Sequence, residues 1–337
     1  MPLFFFYMKV YKKSSAIVIE GKESTLYLDS KKAIKPEDGF AAISHAHSDH
    51  LAGHKSETVM TSPTFELSGM SLKPKTVKYG KTYKLDGISI TAYDAKHILG
   101  SAQFLIEEDG ESILYSGDFR AASSVFYEAC EPPEADILIV ESTYGHPRYV
   151  FPSVAEVVEE IESWVKENKE KTIIFSAYAL GKAQELIRVL NNISLSPLVS
   201  RDIAAYSELY VKHGLNLDYV SPLSEDWDEV IKKPFIAVMS RRFVKPEIKK
   251  IIKEQTKSPV LLALSTGWAI DYSFRSQGVD KSFIFSGHSD FNQLIDYVER
   301  SQASKVFTVH GYTDEFARQI KRRLGIDAKP LKNVQKQ

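Results

Sequence analysis

The sequence predicts an α/β protein: a β-rich domain, interrupted by a small inserted α/β domain and completed by the C-terminal segment. Three patterns carry this expectation. Residues 16–142 are dominated by short β-rich runs, the stretch after Pro152 alternates helical and strand periodicities, and the end of the chain returns to a strand–helix–strand–helix order. A chain of 337 residues has material for one large or two ordinary domains. The expected division is 1–150 for the first part of the main domain, 151–278 for the insert and 279–337 for the completing segment.

In the first part, strands are expected at Ala16–Glu20, Ser24–Leu28, Phe40–Ile43, Ile88–Tyr93, Phe104–Ile106, Ser112–Tyr115 and Asp136–Val140. Asp86-Gly87 and Asp109-Gly110 are hairpin signals, because a tight primed turn needs positive φ at its centre; antiparallel pairing is therefore expected here. The texture changes at Ser153–Lys169. Val154, Val157, Val158, Ile161 and Val165 recur at helical spacing, and Ser153 is placed to cap them. Strands at Thr172–Ser176, Phe235–Met239 and Val260–Ser265 then alternate with helices at Lys182–Leu190, Asp202–His213, Glu225–Lys232 and Pro246–Lys257, an order that implies a largely parallel sheet. A strand at Ser282–Phe285, a helix at Asn292–Ser301, a strand at Val306–Val309 and a helix at Asp314–Leu324 close the chain.

Composition narrows the function classes. Hydrophobic content of 43% with 26% charged residues is that of a folded globular chain. A net charge of −1 provides no global pull on polyanions or anionic membranes, so any such ligand must be held by local patches. The single cysteine, Cys130, excludes an internal disulfide and a cysteine-rich metal site. The apolar run Met1–Met8 is too short for a signal-peptide core or a membrane span, and Met8 is an alternative start; a cytoplasmic location is expected.

The chemistry concentrates in His45-Ala-His47-Ser-Asp49-His50, directly after the strand at Phe40–Ile43. Histidines two apart at a strand end project to one side and can reach one cation. If a helix follows, Asp49 and His50 can face a second ion. Imidazole and carboxylate donors suit zinc, and also manganese or iron, while an imidazole at His47 favours a hydrolytic Lewis acid over an iron redox pair. His97, Asp118 and His310 each lie where a strand gives way to a loop, with a glycine near enough to let the backbone bend. Asp118 is the natural bridging group, since a carboxylate has two oxygens to share. Taken singly, each of these residues would more often be structural; the set argues otherwise.

On these motifs the sequence resembles the β-CASP branch of the metallo-β-lactamase superfamily. That branch includes the endonuclease of messenger-RNA 3′-end formation, J-type ribonucleases, Artemis-like repair nucleases and bacterial exonucleases linked to DNA ligase. The core motifs are Asp29, the 45–50 hexad, His97 in Lys-His-Ile-Leu-Gly-Ser-Ala and Asp118 in Ser-Gly-Asp-Phe-Arg. The branch-specific ones are Glu141 in Glu-Ser-Thr-Tyr-Gly, His288 in Phe-Ser-Gly-His-Ser-Asp and His310 in Val-His-Gly, and 179–186 is similar to the inserted-domain signature. The resemblance implies an αββα sandwich with an inserted β-CASP domain. It implies one metal on His45, His47, His97 and Asp118, and a second on Asp49, His50, Asp118 and His310, with two zinc ions (or manganese) as cofactors. Asp29 would orient a histidine ligand, and His288, oriented by Glu141, would protonate the leaving oxygen; with Asp49 these form the expected catalytic group. The implied activity is two-metal hydrolysis of phosphodiester bonds in nucleic acid.

Ser176 and Lys182 stand at a strand-to-helix turn where a helix N-terminus can hold a phosphate, and with Ser286 and Ser289 they are the candidate substrate-binding residues. Arg241-Arg242, Lys249-Lys250, Arg318 and Lys321–Arg323 are candidate backbone contacts, although charged helix faces are usually just solvated. His54 suits a supporting or a packing role, and His146 and His213 a structural one. RNA is the expected substrate, because His310 matches the RNA-processing members. DNA end processing is the alternative, since Gly117–Ala121 and Phe151–Ser153 resemble the Artemis-like branch. A non-catalytic scaffold within an RNA-processing complex and a hydrolase of small thioesters or lactams are further alternatives. Protein partners that supply specificity are expected, and membrane association is not.

Overall fold

The computed structural model describes residues 7–71, 73–225, 227–244, 247–271 and 278–333. Most of the apolar N-terminal run and the Pro246 start expected for one helix lie outside the described residues. The chain forms two compact units: residues 1–122, 129–150 and 288–337 make the first, and residues 123–128 and 151–287 the second.

The first unit is built on two sheets. One has the order β1 (Lys9–Lys13), β2 (Ala16–Glu20), β3 (Thr25–Leu28), β4 (Phe40–Ala42), β5 (Thr58–Thr61), β6 (Lys75–Val77), with helix α1 (Ser62–Ser68) between its last two strands in sequence. The other contains β7 (Thr82–Leu85), β8 (Ile88–Asp94), β9 (Ala102–Glu108), β10 (Glu111–Tyr115), β11 (Ile137–Glu141), β17 (Lys305–Val309) and β18 (Asp327–Pro330), in the order β18-β17-β11-β10-β9-β8-β7. Alternating side chains meet between the sheets. Ile17, Ile19, Leu26, Leu28 and Val59 of the first pack with Ile90, Phe104, Ile106, Ile113 and Phe307 of the second. Helices α7 (Phe291–Arg300) and α8 (Thr313–Leu324) cover the outer face of the second sheet, placing Leu294, Tyr297, Phe316 and Ile320 against Leu114, Leu138 and Val306.

The hairpin signals form as expected. Asp86-Gly87 joins β7 to β8, and Asp109-Gly110, with φ of 48° and 83°, joins β9 to β10. The pairing is otherwise less antiparallel than the sequence suggests: β3 to β6 are mutually parallel, and so are β10, β11, β17 and β18. The parallel strands are joined by loops or helices in place of tight hairpins, which leaves no turn signature to read. Strands β1, β5, β6, β7 and β18 and helix α1 were not expected; they are short, and β1 (Lys-Val-Tyr-Lys-Lys) is charged at both ends.

The second unit contains a five-stranded sheet, every pairing of which is parallel: β13 (Leu198–Val199), β14 (Ile236–Ser240), β12 (Thr172–Ala177), β15 (Val260–Ser265), β16 (Lys281–Phe283). Helix α2 (Val154–Glu167) begins in a capping box: the Glu156 N–H donates to Ser153 Oγ at 3.3 Å, and the Glu156 carboxylate accepts the Ser153 N–H at 2.7 Å. Its buried stripe of Val157, Ile161 and Val165 joins α3 (Lys182–Asn192) and α4 (Arg201–Lys212) on one face of the sheet. Ile248 and Ile252 of α6 (Ile248–Thr256) pack with Ile174 and Leu262 on the other. The expected helix at Glu225–Lys232 is reduced to α5 (Trp227–Val230). Among the described residues no helix is long and apolar enough to cross a membrane.

Candidate metal centre

The parallel strands carry the chemistry at their C-terminal ends, where loops are free to hold a ligand. In the first sheet Asp29 follows β3 and the hexad follows β4; in the second, Asp118 follows β10, Glu141 ends β11 and His310 follows β17. His97 lies in the loop between β8 and β9, fixed by its own N–H donating to Ser101 Oγ at 3.0 Å. No helix follows the hexad. Instead the Lys55 and Ser56 N–H groups both donate to the Ile34 carbonyl, at 2.9 and 3.0 Å, so this stretch satisfies its backbone against another loop.

Asp29 organises the hexad. Its buried carboxylate accepts the Ser44 N–H at 2.7 Å, Ser44 Oγ at 2.5 Å, His50 Nδ1 at 2.8 Å and Tyr115 Oη at 2.8 Å. Burial alone would raise its pKa, but the His50 charge and these hydrogen bonds outweigh that and hold it below the usual carboxylate range. The bond to Asp29 fixes His50 Nδ1 and leaves Nε2 facing Asp118 Oδ2 at 3.6 Å and Asp49 Oδ2 at 3.8 Å. A second relay runs from His45 Nδ1 to Ser44 Oγ at 2.9 Å and on to Asp29, which turns His45 Nε2 inward. Asp29→Asn is expected to weaken zinc affinity by roughly 10–100-fold, as loss of a ligand-orienting carboxylate typically does, measured by competition with a chromogenic chelator. Unchanged affinity would remove Asp29 from this role.

His45 Nε2 lies 3.1 Å from His47 Nδ1, which in turn is 3.3 Å from His97 Nε2. Asp118 Oδ2 is 3.5 Å from His45 Nε2 and 3.9 Å from His97 Nε2. All four donor atoms fall within 4.8 Å of one another. Three ring nitrogens and a carboxylate converging in a buried spot are what a divalent ion needs. Burial first, then the neighbouring histidines, push the His45 pKa well below its ordinary value, so its Nε2 lone pair is available.

Around Asp118 the remaining residues are looser. Desolvation opposes ionisation of Asp49, but the His50 charge, a backbone hydrogen bond and the charges of His47 and Lys31 keep its carboxyl below the usual range. The His310 ring centroid is 5.4 Å from that of His50, and its backbone is left-handed, with φ of 56°. Gly311 follows at φ 65°; a Cβ there would meet the Ser142 carbonyl oxygen at 2.3 Å, so only glycine lets this loop lie against the loop after Glu141. Gly117 does the same for Asp118, since its Cβ would meet Ser44 Cβ at 2.8 Å.

Burial disfavours charge on His50, yet the carboxylates of Asp118 and Asp29 push its pKa up to about 10. The metal-free protein therefore carries a proton on His50 Nε2 at neutral pH. The stabilisation that goes with this raised pKa is fully present below the ordinary value of about 6.5 and is lost as pH rises through about 10. If His50 serves as a ligand, metal uptake would displace that proton, so zinc titration at pH 7–9 is expected to release protons and affinity to rise with pH. Calorimetry in buffers of different ionisation heat measures this; uptake without proton release contradicts it.

His288 lies beside the donor set. Its Nδ1 is 2.8 Å from Glu141 Oε1, its ring centroid is 4.5 Å from that of His97, and its side chain keeps 23% exposure. Glu141 is buried and also accepts the Phe119 and Thr143 N–H groups at 3.3 and 3.2 Å. Burial would raise its pKa, but the His288 charge and these bonds hold it below the usual range.

The candidate substrate residues are placed differently. Ser289 is buried, accepting the Ala121 N–H at 2.8 Å and donating to the Phe119 carbonyl at 3.3 Å, so it stitches down the loop after Asp118. Ser176, Lys182 and Ser286 belong to the second unit and are buried there. The Lys182 ammonium is engaged by Glu185 at 2.5 Å and sits 4.2 Å from the Phe285 ring centroid. His54 is buried, with Nδ1 accepting the Ile34 N–H at 3.2 Å; His146 Nδ1 accepts the Arg148 N–H, and His213 caps α4. Sequence reasoning missed Ser44 and Tyr115. Ser44 was findable from its place beside the hexad; Tyr115 gave no local signal.

Two packed sheets bearing this His/Asp cluster at their strand ends define a metallo-hydrolase type of fold. Residues 277–330 match the family described as the Zn-dependent metallo-hydrolase RNA specificity domain. The chain is 31% identical over 298 residues to a probable DNA ligase of Opitutus terrae, covering 85% of this chain but 28% of that protein. It is 26% identical over 342 residues to an RNase J-like protein of Methanocaldococcus jannaschii, covering 80% of each. A crystal structure of an Enterococcus faecalis V583 protein of unknown function superposes with a TM-score of 0.65 at 14% identity, covering 91% of this chain and 95% of that one. Together these likenesses support the β-CASP family of the metallo-β-lactamase superfamily as the family that this chain resembles.

Proposed function

We propose that this protein is a two-metal nuclease that hydrolyses phosphodiester bonds, with RNA as its substrate. The observation that carries the reading is Asp118 Oδ2, which lies 3.5 Å from His45 Nε2 and 3.6 Å from His50 Nε2 and is therefore shared between two donor sets. His45, His47, His97 and Asp118 would hold one divalent ion, and Asp49, His50, Asp118 and His310 the other. Zinc is the first choice and manganese the second. When bound, such ions supply Lewis acidity, which favours ionised water and offsets charge on phosphoryl oxygens.

The protein's own groups do the rest. Asp29 and Ser44 fix the ring orientations of His50 and His45. Glu141 holds His288 through Nδ1, so that the imidazolium proton on Nε2 is presented to the departing oxygen of the cleaved nucleotide. A sugar alkoxide is a poor leaving group, which makes that proton valuable. Ser289 supports the loop after Asp118. Residues 1–150 and 279–337 would form the metallo-β-lactamase sandwich and 151–278 the inserted β-CASP domain, with Ser176 and Lys182 of the insert and Ser286 and Ser289 of the completing segment as the substrate-binding candidates.

RNA is favoured over DNA by the RNA specificity domain matched at residues 277–330 and by the RNase J-like relative. The test is degradation of matched RNA and DNA oligonucleotides with the 5′ or 3′ end blocked. Faster RNA cleavage supports the reading, and preference for DNA reverses the substrate. Cleavage of neither by zinc-loaded protein overturns it.

A further inference from the structure

We propose that Lys31, Lys32 and Lys55 form a phosphate-binding rail beside Asp49, which takes the backbone of a single-stranded nucleic acid as it enters the metal centre; this rests on the nuclease reading. With a net charge of −1 the chain has no long-range attraction for a polyanion, so binding must come from a local patch. Three members of the basic runs legible in the sequence are already engaged. Arg242 pairs with Asp202 at 2.9 Å, Lys249 with Asp280 at 2.6 Å and Arg318 with Glu315 at 2.5 Å. Lys31, Lys32 and Lys55 are exposed, and none is ion-paired among the described residues. Lys35 of the same loop is excluded, because it pairs with Glu37 at 3.4 Å.

The position of the rail is built rather than incidental. Lys31 follows Asp29 by two residues, and the bond between Asp29 and His50 Nδ1 at 2.8 Å sets this turn beside the 45–50 loop. The Ser30 hydroxyl donates to the Lys32 carbonyl at 2.8 Å and accepts the Lys32 N–H at 3.2 Å, folding this turn on itself. Ile34 is buried with Ala16, Val18 and Tyr27. Its N–H donates to His54 Nδ1, and its carbonyl accepts the N–H of Lys55, which holds that lysine across from the 31–34 turn. His54 thus acts as a staple that joins the two lysine-bearing segments. The backbones are fixed while the ammonium groups stay in water, an arrangement that loses little on ligand binding. Asp118 and His97 are recessed, each 8% exposed, so the phosphorus must reach inward; a single strand can do this more readily than a duplex.

Each phosphate neutralised on a single strand contributes about 0.7 to the slope of log affinity against log salt. The test uses zinc-loaded full-length protein and a fluorescent 2′-O-methyl phosphorothioate single strand, with affinity read by anisotropy across a salt series. K31A/K32A/K55A is expected to flatten the slope by about 2, and Lys169→Ala to leave it unchanged. Hydrolysis of bis(p-nitrophenyl) phosphate, too small to reach the rail, is expected to be retained in the triple variant. A wild-type slope in that variant overturns the rail and leaves the nuclease reading intact. Equal loss of the small diester's hydrolysis also overturns it, since the lysines would then act on the centre itself. Wild-type protein with no affinity for the strand and no cleavage of any nucleic acid overturns both.

Discussion

Replacing His288 by alanine is expected to lower kcat on a labelled RNA oligonucleotide by roughly 10²–10⁴-fold, while zinc content stays at the wild-type level. His288 is bonded through Nδ1 to Glu141, itself buried and held by two backbone N–H groups, so the imidazole is aimed rather than mobile. Because the Glu141 pKa is held below the usual range, this carboxylate is ionised throughout the neutral region and supports an imidazolium. The loss should shrink with a substrate whose leaving group needs no proton, such as a p-nitrophenyl diester. Equal loss on both substrates would mean that His288 serves the structure of the site and not proton transfer.

The second large effect is expected at Asp118. Asp118→Ala removes an oxygen, Oδ2, that lies within 3.9 Å of His45, His50 and His97 Nε2 together. On the proposed ligand sets both would lose their common member, so zinc per chain should fall below one and cleavage to background, a larger loss than at His288. Elemental analysis after gel filtration reads the first and the oligonucleotide assay the second. Removing Asp118 also takes away one of the three carboxylates, with Asp29 and Asp49, that raise the His50 pKa, so the proton released on residual zinc binding should decrease. Full zinc occupancy in this variant would show that Asp118 is not shared.

Much of the site was legible because its residues are polar exceptions at the ends of apolar strands. His45 to His50 stand out as a cluster, and His97, Asp118 and His310 each follow a recognisable β run. The supporting contacts were not legible, because they depend on register. Tyr115 reaches Asp29 across 86 positions of sequence, and no local pattern announces that pairing. The loop after β4 was open to a helical reading, yet the Ile34 carbonyl captures two of its N–H groups and prevents one. The parallel strands β3 to β6 were similarly hidden, since the site loops and helix α1 that connect them leave no hairpin turns. Nothing in the sequence singles out Lys31, Lys32 and Lys55; only the packing of Ile34 and its bond to His54 bring their segments together.

Metal stoichiometry tied to turnover is the most direct measurement of the dinuclear account. Protein stripped with a chelator and reloaded stepwise with zinc should bind two ions per chain, with cleavage of single-stranded RNA appearing only as the second site fills. Full cleavage with one zinc per chain, or undiminished cleavage in excess chelator, would contradict it.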